Sequence, residues 1–172
     1  MNYLFRLSIL ILLISSYSNA HSKKKSLDTH IHGISTLNIV QDGNTLLFEF
    51  EMPGNDIVGF EYEAKLENDI KKVENAISKL SDYKNLISPS GLADCKLQSY
   101  TTNIINEGKH SEFTSSYKFN CNNISKLKII YIKYFKSFAN GRKLNIKIVG
   151  EKKKSAYVIE KSKKLINVKN HF

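Results

Sequence analysis

Arginine is almost missing from this chain of 172 residues, occurring only at Arg6 and Arg142, so that nearly all of its 26 basic residues are lysine. Bidentate, fork-like recognition of phosphate is therefore poorly served. Cysteine occurs twice, at Cys95 and Cys121, with no CxxC spacing, which removes the usual thiolate zinc knuckle. There is no GxSxG elbow, no phosphate-binding P-loop and no HExxH helix. These absences lead us to expect a protein that is not an enzyme. Internal repeats and long low-complexity segments are lacking too. Nucleic-acid binding is disfavoured, because the aromatic residues are expected on apolar strand faces.

The N-terminal stretch MNYLFRLSILILLISSYSNA carries Arg6, an apolar run from Leu7 to Ile14, and small residues at Ser18 and Ala20. That pattern reads as a secretory signal peptide over residues 1–20. The run is short of the roughly 20 residues a bilayer span needs. No cysteine follows it to take a lipid, so no stable membrane insertion is expected after cleavage. Residues 21–172 are the right size for one exported domain with a real core. Export to an oxidising compartment makes a Cys95–Cys121 disulfide the expected state, with two buried thiols as the alternative. The formal charge of +10 is spread over lysines, including runs at 23–25 and 152–154. It suits a solvated surface, or attraction to anionic polymer at the cell envelope.

Patterning supplies the fold class. HIHGISTLNIVQ and NTLLFEFEM flank Asp42-Gly43, a strong hairpin signal, with Leu46, Phe48, Phe50 and Met52 on one face. PGNDIVGFEYEAK is expected as a structured loop. Leu66, Ile70, Val73, Ile77 and Leu80 recur at helical spacing. EFTSSYKFNC alternates, with Phe113, Tyr117, Phe119 and Cys121 on one side and Glu112, Thr114 and Lys118 on the other. SKLKIIYIKYFKSF begins as a strand, Asn140-Gly141 turns the chain, and KLNIKIVG and SAYVIE follow as strands. The sum is an α+β domain: a mainly antiparallel sheet of about seven strands with one well-defined amphipathic helix.

Five histidines are present. His30 and His32 are one residue apart, and side chains at i and i+2 of an extended strand share a face. His110 and Glu112 have the same relation. Together the four could complete a tetrahedral zinc set, and Glu61, in the glycine-rich loop, is a fifth candidate. Such binding needs neutral imidazole, so it should weaken as the medium falls below about pH 6.5. His21 and His171, at the two ends, look incidental. On spacing alone an HxH pair and a strand glutamate are as readily plain polar surface.

The same residues carry a resemblance. H-x-H-G, a hairpin, MPGNDIVGFEYEAK, ADCKL and HSEFTSSYKFNC occur here in the order in which their counterparts occur in the ZrgA-like periplasmic zinc-binding proteins. The resemblance implies an exported, zinc-binding protein that assists zinc uptake alongside a membrane zinc importer. It implies that His30 and His32, Glu61, and His110 with Glu112 match polar positions of that family, and Cys95 and Cys121 its two cysteines. Two departures stand out. Tyr62 occupies the position of a family histidine, and KLQSYTTNIINEGK replaces a long histidine-rich insert. The competing expectation is a non-metal binding module of the envelope on the same scaffold.

Overall fold

The computed structural model describes residues 32–172. Residues 1–20, expected as a signal peptide, and His21 and His30 lie outside the described residues. Nine strands form two sheets, with three helices and one disulfide, Cys95–Cys121. The strands are β1 (Ile34–Asp42), β2 (Thr45–Pro53), β3 (Ile87–Pro89), β4 (Cys95–Glu107), β5 (His110–Cys121), β6 (Ile129–Ile132), β7 (Lys143–Val149), β8 (Lys154–Glu160) and β9 (Leu165–Asn167). The helices are α1 (Gly54–Ile57), α2 (Glu67–Ser81) and α3 (Tyr134–Ser137). Six strands make the main sheet in the order β4-β5-β2-β1-β7-β8, and β3-β6-β9 make a small one. All pairings are antiparallel except β1 with β7.

The expected count of about seven strands is therefore low. The two extra strands, β3 and β9, are each 3 residues long, too short to show an alternation in the sequence. They exist because β6 pairs with both.

The main sheet is apolar on one face. Leu37 and Ile39 of β1, Leu46, Phe48, Phe50 and Met52 of β2, and Phe113, Tyr117 and Phe119 of β5 are buried. Register stacks them: Phe50 opposes Leu37, and Phe48 opposes Tyr117. This is what the period of two predicts, since every second side chain must leave water together. Phe48 packs edge-on against Phe119 at 5.5 Å, and Tyr83 against Phe119 at 4.9 Å. Helix α2 and the small sheet add Ala76, Leu80, Ile87, Ile130 and Ile132 to the core, and β7 adds Leu144, Ile146 and Ile148.

Helix α2 follows the expected apolar spacing from Val73 onward, where Val73 and Ile77 pack against the core. Leu80 is fully buried, and its carbonyl accepts the Tyr117 hydroxyl. Leu66, 71% exposed, and Ile70, 40% exposed, face outward instead. The buried residue of the first turn is Asp69, whose carboxylate accepts the Tyr62 hydroxyl at 2.8 Å and Lys72 Nζ at 3.0 Å. Those two bonds hold the Asp69 carboxyl below its usual range, Lys72 first, while the hydrogen bond to Asp69 raises the Tyr62 phenol.

Candidate functional site

The site is assembled at the place where the chain enters β1, where β5 begins and where the loop after α1 passes between them. That loop is set by glycine. A Cβ on Gly54 would lie 2.1 Å from Ser111 Oγ and 2.6 Å from the Phe60 carbonyl oxygen, so only glycine lets α1 sit this close to β5. Val58 N–H then donates to the Gly54 carbonyl at 2.8 Å, closing the single turn of α1. Gly59 turns the chain at φ +88°, and Phe60, Glu61 and Tyr62 follow. Phe60 and Tyr62 stack at 4.6 Å, and Tyr62 is tied to Asp69 of α2. The loop is thus pinned on both sides of Glu61.

The Glu61 carboxylate lies between two histidines. Its Oε2 is 2.8 Å from His110 Nδ1, and its Oε1 is 3.5 Å from His32 Nδ1. The glutamate side chain is only 10% exposed, whereas the two imidazoles are more than half exposed. Glu61 Oε1 is buried and accepts no hydrogen bond among the described residues. A buried carboxylate oxygen without a donor is costly, and its neighbour here is an imidazole nitrogen.

His32 is not on a strand. It sits in a turn, and β1 begins only at Ile34, because Gly33 adopts φ +85°. The strand geometry expected for His30 and His32 as an extended pair therefore fails at His32, and His30 lies outside the described residues. A second network, which the sequence reading missed, fixes this turn. Buried Asp56 accepts the Gly33 N–H at 2.6 Å and the Ser35 hydroxyl at 2.9 Å, and Tyr134 Oη lies 2.8 Å from Ser35 Oγ. Burial raises the Asp56 carboxyl above its ordinary range, against the lowering effect of those bonds. Arg142 Nη2 donates to the His32 carbonyl at 2.8 Å, and the Gly33 carbonyl accepts Arg142 N–H and Lys143 N–H. One of the two arginines in the sequence thus serves the backbone of this turn. Asp56 lies inside the quoted GNDIVGFE stretch, but nothing in that string shows that its partner is 23 residues upstream.

His110 opens β5, in register with Glu107 of β4. Glu112 shares its strand face, as expected, but it is buried at 6% exposure, opposite Pro53 and Ile105. The tertiary structure therefore brings together His32, Glu61 and His110 from three separate stretches of sequence, with Glu112 one strand repeat further on. Among the described residues no three such side chains already surround a point fit for a metal ion. In this arrangement both Nδ1 atoms face the carboxylate.

The two cysteines stand at the other end of β4 and β5, as direct register partners. His171 is not the loose terminal residue its position suggests. It is buried, with Nε2 2.7 Å from Ser155 Oγ, and serves to fasten the C-terminus to β8. No helix among the described residues is long and apolar enough to cross a membrane.

A one-disulfide α+β domain with a His–Glu–His cluster at one end of its main sheet is the class that fold and site define. Residues 29–168 match the family described as ZrgA family zinc uptake protein, and the chain belongs to that family. No curated protein matches it. Family membership suggests a role in zinc uptake.

Proposed function

We propose that this is a periplasmic zinc-binding protein that hands zinc toward a membrane importer and catalyses no reaction itself. The observation that carries the proposal is the Glu61 carboxylate set between His32 and His110, with one of its buried oxygens lacking a donor. Two imidazoles and a carboxylate are ordinary zinc donors, and zinc in protein sites takes four. His30, two residues before His32 in sequence, is the natural further donor. Both imidazoles described here are exposed enough to turn a ring nitrogen toward an arriving ion without disturbing the core. Glu112 stands two residues further along β5 than His110.

The zinc would be cargo, so the site must release as well as bind. An open rim of exposed histidines on a rigid carboxylate suits that need better than a closed structural cage. With no histidine in the KLQSYTTNIINEGK segment, capacity is limited to a single compact site. Calorimetric titration of the exported chain with zinc tests the reading. One equivalent should bind, and His32→Ala combined with His110→Ala should weaken binding at least tenfold. Unchanged affinity would leave the alternative, an envelope module that has kept the fold without the metal.

A further inference from the structure

A cavity lies elsewhere, between the β6–α3 segment and the turn that joins β8 to β9. Its volume is about 620 Å³. Tyr131 and Phe135 contribute aromatic wall, and five lysines line it: Lys133, Lys136, Lys161, Lys163 and Lys164. No aspartate or glutamate lines it. Among the described residues none of these five lysines forms an ion pair. The walls are held by backbone. Ile132 N–H donates to the Lys164 carbonyl at 2.8 Å, Tyr131 pairs with Leu165, and Lys161 Nζ donates to the Ala139 carbonyl across the gap.

We propose that this cavity binds a small anionic amphiphile: a ring or short chain bearing a phosphate or carboxylate group. Charge complementarity argues for the anion. Five ammonium groups around one concavity repel each other, and an anion seated among them relieves that repulsion. Lysine, a mobile point charge, fits anionic oxygens without demanding the fixed two-pronged geometry of arginine. The aromatic wall argues for an apolar body, and the volume falls within the usual range of small-molecule sites, about 300–1,000 Å³. A concave, walled site favours one bound molecule over a flat membrane surface. The site stands apart from the zinc reading, since it shares none of its residues.

The test uses 1-naphthyl phosphate, inorganic phosphate and phosphatidylglycerol vesicles as probes against the exported chain. One equivalent of 1-naphthyl phosphate is expected to bind, at least tenfold tighter than inorganic phosphate. Lys133→Glu with Lys164→Glu should weaken that binding at least tenfold, and Phe135→Ala at least threefold. Lys118→Glu with Lys147→Glu, the same change of charge at exposed positions of β5 and β7, should leave it intact. Zinc titration of every variant should match the wild type, so failure here is separable from failure of the metal site. Equal binding of inorganic phosphate and 1-naphthyl phosphate would overturn the amphiphile assignment. Binding to vesicles without binding of the soluble probe would assign the lysines to a membrane surface and overturn the pocket. Equal loss in the Lys118→Glu with Lys147→Glu variant would reduce the effect to net charge and overturn it as well.

Discussion

Glu61 Oε2 and His110 Nδ1 lie 2.8 Å apart although 49 residues separate them. The contact exists because Gly54 lets α1 press against Ser111, one residue beyond His110. A helix of one turn and a glycine-permitted close approach therefore bring the loop carboxylate to the strand imidazole.

The Glu61 carboxylate has one oxygen that is buried without a donor. Such an atom costs stability in the metal-free protein and is useful only when a cation arrives. Glu61→Gln should leave the melting temperature equal or higher while zinc affinity falls about 10–100-fold. Calorimetry and thermal melts of the same sample measure both. A variant that lost stability without losing zinc would show Glu61 to be a structural residue.

Asp56 gives a pH dependence whose sign follows from its burial. Its carboxyl is raised in the folded protein, so the folded state keeps the proton longer than the unfolded chain does. The contribution to stability is thus complete below about pH 4, near the ordinary carboxyl value, and is lost as pH rises through the raised value. Denaturant melts at a series of pH values should show that decline in the wild type, and Asp56→Asn should flatten it. Asp56→Ala, which strands the buried Gly33 N–H, should cost on the order of 1–3 kcal/mol at neutral pH.

Gly54→Ala tests the close approach directly. The added methyl would meet Ser111 Oγ at 2.1 Å and the Phe60 carbonyl at 2.6 Å, so the loop must shift. We expect a loss of about 1–3 kcal/mol in chemical denaturation. Zinc affinity should fall with it, because the displaced segment carries Glu61. Gly43→Ala, with open space around its Cβ position, should leave zinc binding unchanged.

Replacing both cysteines by serine should separate stability from function. Loop closure over a sequence separation of 26 gives a loss of roughly 3.5 kcal/mol. The disulfide closes the far end of β5 from His110, across 12 residues or roughly 35 Å of strand. Zinc titration at a temperature where the variant is folded should therefore match the wild type, while its thermal midpoint drops by several degrees.

Alternation alone determined much of this protein. The faces of β2 and β5, the Asp42-Gly43 hairpin, the α+β class and the Cys95–Cys121 pairing follow from periods of two, from turn residues and from cysteine count, all local properties. The recurring motifs also carried the family. What the sequence could not decide were relations between distant segments. Strands β3 and β9 are too short to signal themselves and exist through β6. Leu66 and Ile70 keep helical spacing yet face outward, because α2 packs on the core only from Val73 to Leu80. His32 lies in a turn because Asp56 and Arg142, far off in the chain, hold Gly33 there. Periodicity reports which side of an element avoids water. Which carboxylate meets which imidazole is set by packing, and packing is a property of the whole chain.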